Sequence, residues 1–168
     1  ISPEEHERVF GWLCGLAEQV PFSLKTTLGQ HFRRVQVLKR LASEGRGLDG
    51  LSPDQVRELY RGVPSNDGKG ILFISHRGEV CPSGFLPISA GNVRRDSVVS
   101  LYRDSALFRS LRDPSALRGK CGRCPFNSIC GGCRARAYAT TGDPLAAEPY
   151  CVFQPGEAES HAAQTTER

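Results

Sequence analysis

A chain of 168 residues, 39% of them apolar, is long enough to bury a core as one large domain or two small ones, and no apolar run approaches a membrane span. The formal charge is only +4, but residues 94–136 carry ten Lys or Arg against three Asp, a local +7, and the chain turns acidic from Asp143 onward. Such a collar suits an anionic ligand as well as a solvated basic face, and the lack of a basic–aromatic motif argues against nucleic acid.

The seven cysteines are odd in number and no charged-then-apolar leader opens the chain, so a disulfide framework is disfavoured and a reducing, cytoplasmic setting is expected. There is no methionine and the chain opens Ile1-Ser2-Pro3, the expected look of the C-terminal piece of a longer protein.

Taken in order, Ser2, Pro3 and Glu5 make a capping box, and Val9, Trp12, Leu13, Leu16 and Val20 recur at helical spacing, which predicts a helix over 3–19. Cys14 within it reads as a small buried hydrophobe. Pro21 stops the helix, and the alternation of Phe22, Leu24 and Thr26 predicts a short strand. Helix followed by strand is the grammar of a parallel α/β architecture. Val35, Leu38 and Leu41 then mark a basic helix ended by Gly45, with His31 at its front, read as an exposed or hydrogen-bonded residue. Ser52-Pro53-Asp54-Gln55 opens another short helix.

The turn-forming run Gly62–Gly70 suggests a domain boundary. Beyond it, 71–74 and 79–81 read as a hairpin, 97–103 and 105–111 as two helices, and Gly132–Gly142 as a third.

Five cysteines fall within residues 121–151: Cys121, Cys124, Cys130 and Cys133 form C-x2-C-x5-C-x2-C, and Cys151 follows. Paired thiolates are ligands for soft metal centres. A zinc ribbon usually spaces its pairs by about 15–20 residues. Here the gap is five and one cysteine is left over. The spacing leans to iron–sulfur over structural zinc, and nothing upstream of Cys121 reads as the strand that a thioredoxin-like CxxC requires.

Four strings in one order, NDGKG, GEVCPSGFLPISAGNVRRDS, LRDPSALRGKCGRC and CGGCRARAYATTGDPLAAEPYC, resemble the C-terminal part of radical S-adenosylmethionine (SAM) enzymes with a SPASM or twitch extension. Within that superfamily the strings are most similar to the haem-biosynthesis branch that remodels side chains of sirohaem derivatives. The resemblance implies an α/β chain: the last helix–strand units of a partial (β/α) barrel over 1–61, an auxiliary domain over 62–155 with a β-hairpin and short helices around an iron–sulfur cluster, and a flexible tail over 156–168.

It also implies one auxiliary [4Fe-4S] cluster on Cys121, Cys124, Cys130 and Cys151, through the branch pattern CX2CX5CX20C. Cys133 becomes the spare, and Cys81 and Cys133 are too few for a second auxiliary cluster. The CX3CX2C loop that holds the catalytic cluster is absent from these residues. SAM and a second [4Fe-4S] cluster are therefore expected elsewhere in the full-length enzyme, and the piece alone is expected to be inactive. No catalytic residue is assigned.

The family chemistry cleaves SAM reductively to a 5′-deoxyadenosyl radical that abstracts a hydrogen atom, with electrons from a ferredoxin or flavodoxin. The implied substrate is a tetrapyrrole or a peptide, whose carboxylates Arg94, Arg95, Arg134 and Arg136 are placed to bind. In TTLGQHFRRV the sequence departs from the branch, which tends to have an acidic residue and a proline before the histidine. The competing classes are a zinc-stabilised interaction module and a ferredoxin-like electron carrier.

Overall fold

Helix α1 (Pro3–Ala17) starts where the capping box puts it: the Glu5 amide donates to Ser2 Oγ at 3.1 Å and the Ser2 amide to Glu5 Oε2 at 2.6 Å. In this computed structural model, which describes residues 1–156, the helix buries Phe10 and Cys14. Val9 and Trp12 are exposed, so the buried stripe lies one position away from the one the periodicity marks. Its partner decides the face. Helix α2 (Phe32–Ser43) presents Phe32 to Phe10, with ring centroids 5.6 Å apart, and Arg34 grips Glu7 through two bonds of 2.8 and 2.5 Å.

Residues 22–27 do not form the expected strand. A strand needs a neighbour to take its backbone groups, and among the described residues none lies alongside. The one sheet among the described residues lies further on, at 73–92, and is antiparallel; with the helices it makes the chain a mixed one, consistent with the α/β expectation.

Helix α3 (Pro53–Leu59) again opens on a capping box, Ser52 with Gln55. It delivers Val56 to a core shared with Val37 and Leu41 of α2 and with Phe126, Ile129 and Cys130. Burying side chains of this size fully is worth about 1.5–3 kcal/mol each. This core takes residues from both sides of position 62.

Strands β1 (Phe73–Ile74), β2 (Glu79–Cys81) and β3 (Gly91–Asn92) form a three-stranded antiparallel sheet in chain order, with Ile74 opposite Val80 and Glu79 opposite Asn92. The first pair is the expected hairpin, and β3 adds a strand the sequence does not announce. Ser97 caps α4 (Val98–Asp104) and Ser105 caps α5 (Ala106–Arg112), through their hydroxyls and the Ser100 and Phe108 amides. A 3-10 turn (Pro114–Ala116), the short α6 (Gly119–Gly122) and α7 (Arg134–Thr141) complete the order. The chain is thus mixed, helices with a small antiparallel sheet. No helix among the described residues is long and apolar enough to cross a membrane. Of the expected tail, 157–168 lies outside the described residues.

Candidate metal centre

Between α6 and α7 the chain makes three tight moves that gather cysteines. Cys121 sits inside α6 and Cys124 one turn on, across Gly122, where a Cβ would stand 2.2 Å from the Leu117 carbonyl oxygen. Phe126 and Ile129 then plunge into the core and carry Cys130 with them. Gly131 and Gly132 both adopt positive φ, 63° and 67°, a left-handed reversal open to glycine at little cost. Cys133 follows as the N-cap of α7, its sulfur accepting from the Arg136 amide. After Gly142 ends α7 in the left-handed conformation, the chain returns past Cys121, held by the Arg118 amide on the Leu145 carbonyl (2.8 Å) and by Lys120 Nζ on the Cys151 carbonyl.

Cys121, Cys124, Cys130 and Cys151 line one small cavity. Cys133 does not; it is fully buried against Leu86, Leu111 and Ala135 on the far side of its own turn. Cys81 lies on β2 and Cys14 in the α1–α2 core. Among the described residues, no group of three or more His, Cys, Asp or Glu side chains converges tightly enough for a single metal ion.

Each of these sulfurs has a backbone amide turned toward it. The Gly132 amide donates to Cys130 Sγ at 3.4 Å and the Glu148 amide to Cys121 Sγ at 3.3 Å, while the Phe126 and Phe153 amides serve Cys124 and Cys151. Burial dominates the acidity all the same: it pushes the Cys124 and Cys130 thiols up to about 12, and raises Cys151. As free thiols Cys124, Cys130 and Cys151 are therefore neutral at ordinary pH, and a bound cation would be needed to draw off their protons.

A set of residues outside the cysteine stretch fixes its shape. Asn66 Nδ2 donates to the Cys130 and Gly132 carbonyls at 3.2 and 2.8 Å, Asp67 Oδ2 accepts from the Ala135 amide, and Lys69 Nζ reaches the Ser128 carbonyl. Arg33 bonds the Ile129 and Ser65 carbonyls. Arg34 lines the cavity, and its Nε is buried with no partner among the described residues. Composition reads 62–70 as a turn-forming boundary, so the clamping role of Asn66 and Lys69 is missed; the NDGKG string is the one signal that marks them.

The remaining candidates scatter. Arg94 and Arg95, at the end of the sheet, take part in no ion pair among the described residues. Arg134 is buried, whereas Arg136 pairs with the fully buried Glu148 at 3.0 Å and stacks over Tyr150. His31 is fully buried with both ring nitrogens unpartnered, against the sequence expectation. Phe10 meets its ring edge-on at 4.6 Å, and burial, with the nearby Arg34 and Arg136 cations, pulls it down to about 3, so it is neutral. A cavity of about 660 Å³ lies on another face of α2 beside Lys25, Arg33, Arg40, Tyr60 and Arg61.

The chain is 37% identical over 158 residues to an AdoMet-dependent heme synthase of Methanosarcina barkeri, a match covering 94% of this chain and 44% of that protein. Its relatives carry the names of radical SAM enzymes, and the AdoMet-dependent heme synthases among them fit the haem-biosynthesis branch. A second AdoMet-dependent heme synthase, from Nitratidesulfovibrio vulgaris, is 38% identical over 157 residues, 92% of this chain and 41% of that protein. A PqqA peptide cyclase of Methylocella silvestris is 27% identical over 156 residues, 89% of this chain and 41% of that protein. The chain thus spans less than half the length of these relatives. No family model matches it, and no solved structure matches it.

Proposed function

We propose that this chain is the auxiliary-cluster portion of a radical SAM enzyme, in which Cys121, Cys124, Cys130 and Cys151 hold a [4Fe-4S] cluster that supports radical modification of a tetrapyrrole or peptide substrate. The observation that supports it is the lining of one cavity by these four sulfurs, each faced by a backbone amide. Four soft donors suit a cubane, and N–H groups aimed at sulfur suit ligands that carry negative charge. The orphaned Nε of Arg34 on the same cavity is a further donor in want of an acceptor. When bound, such a cluster supplies a one-electron redox centre.

The rest of the assignment belongs to the whole enzyme. SAM, the catalytic cluster and a ferredoxin or flavodoxin donor would meet this portion from outside the residues given, which contain no CX3CX2C loop; alone, it would be inactive. For the acidic groups of a substrate, Arg94 and Arg95 are the available pair, since Arg136 already has a carboxylate and Arg134 is enclosed.

Anaerobic reconstitution with iron and sulfide is the test. A brown protein with about four irons and four sulfides per chain is expected. A colourless protein that retains zinc would overturn the reading in favour of a structural zinc module.

A further inference from the structure

Arg134 is 1% exposed. Its Nε donates to the Gly132 carbonyl at 3.4 Å, and Nη1 to the Pro144 and Ala146 carbonyls at 3.0 and 2.6 Å. Nη2 points at Cys121 Sγ, 3.7 Å away. Among the described residues no ion pair includes it: Glu148 is taken by Arg136, and Glu7 by Arg34. A cation enclosed in this way without a counter-charge is costly, and carbonyl dipoles offset only part of that cost. Cys121 is the one group bonded to the guanidinium that is able to become an anion.

The backbone is arranged to allow this contact. A Cβ on Gly132 would stand 2.5 Å from Arg134 Nη2 and 3.3 Å from Cys121 Sγ, crowding both partners of the contact. Arg134 reaches Cys121 from outside the lining of the four-cysteine cavity; Arg34 and Lys120 do line it, but Arg34 is bound to a carboxylate and Lys120 turns its ammonium to the Cys151 carbonyl. Among the described residues, Arg134 alone brings an unneutralised charge into direct contact with one of the four sulfurs.

We infer that Arg134 is a positioning residue that tunes the cluster proposed above: its guanidinium on the Cys121 sulfur neutralises ligand charge and favours the reduced state. The inference rests on the cluster reading. Reduction adds one electron to a centre already carrying net negative charge and breaks no bond, so a fixed cation on a ligand raises the potential at which the electron enters.

The experiment is a potentiometric titration of the reconstituted chain, with dithionite as reductant and the electron paramagnetic resonance of the reduced cluster as readout, for the parent, Arg134→Lys and Arg134→Gln. Arg134→Gln should bind the same iron and sulfide as the parent but take its electron at a more negative potential, with Arg134→Lys between the two. Equal midpoints in all three, with only thermal stability lowered, would make Arg134 a mere strut for the 144–146 segment and overturn the inference. Should Arg134→Gln fail to fold, protein labelled with nitrogen-15 in its arginine side chains gives a second reading. The reduced cluster should show a coupling to that nitrogen which persists in Arg34→Gln, and the absence of such a coupling overturns the inference. A parent that takes up no iron removes the cluster reading and this inference together; a loaded parent with an unmoved midpoint removes this inference alone.

Discussion

Asn66 and Cys130 stand 64 positions apart in the chain, and the Asn66 side-chain amide donates to the Cys130 carbonyl at 3.2 Å. The same nitrogen reaches the Gly132 carbonyl at 2.8 Å, so one buried amide spans the reversal that presents the third cysteine to the cavity. Replacing Asn66 by Ala strands two carbonyls and should destabilise the chain by about 1–3 kcal/mol. Chemical denaturation would read this, and iron bound per chain after reconstitution should fall in parallel.

Cys133 and Cys151 should respond in opposite ways to serine. Cys133 caps α7 through the Arg136 amide and stands away from the cavity, and serine is a better cap than cysteine. Cys133→Ser should keep the full iron content and lose no more than about 1 kcal/mol of stability. Cys151→Ser should lose most of its iron. Equal loss in both variants would point to a different ligand set.

Gly132→Ala places a methyl group where Arg134 and Cys121 meet, at a φ of 67° that a side chain tolerates poorly. A cost of at least about 1–3 kcal/mol is expected from backbone strain alone. Gly142→Ala is the control, because its φ is similarly positive but nothing lies near its Cβ position. Greater iron loss in the first variant than in the second would separate crowding of the site from general strain.

His31 gives the iron-free chain a pH dependence. Its pKa falls from 6.5 to about 3 on folding, so below pH 6.5 the unfolded chain takes up a proton that the folded chain refuses. The stability is fully present above pH 6.5 and is lost as pH falls toward 3, by up to about 1.4 kcal/mol per pH unit. Denaturation at pH 7 and pH 5 should therefore show a larger loss in the parent than in His31→Phe, which has no proton to take up. Equal losses would mean that water reaches the His31 ring.

The helix starts were legible because they are written locally. Ser2, Ser52, Ser97 and Ser105 each satisfy amides within three residues, and no distant partner is needed. The hairpin at 73–81 was legible for the same reason, with Gly78 at a positive φ of 83° in its turn. Residues 22–27 failed because alternation states only that a strand is compatible, while the ladder must come from another part of the chain. The buried stripe of α1 was displaced because Phe32 and Arg34, on another helix, chose the side that packs.

The sequence by itself determined the local chemistry of this protein: the capping boxes, the glycines of the reversals, and the five cysteines with their spacing. That Cys121, Cys124, Cys130 and Cys151 line one cavity is the work of tertiary structure, as are the burial of His31 and the absence of an ion pair to Arg134 among the described residues. A residue's side-chain type and its nearest neighbours fix what it is able to bond. What it does bond depends on segments brought in from 60 or more residues away, as Asn66 is to Gly132, and on how completely their packing excludes water.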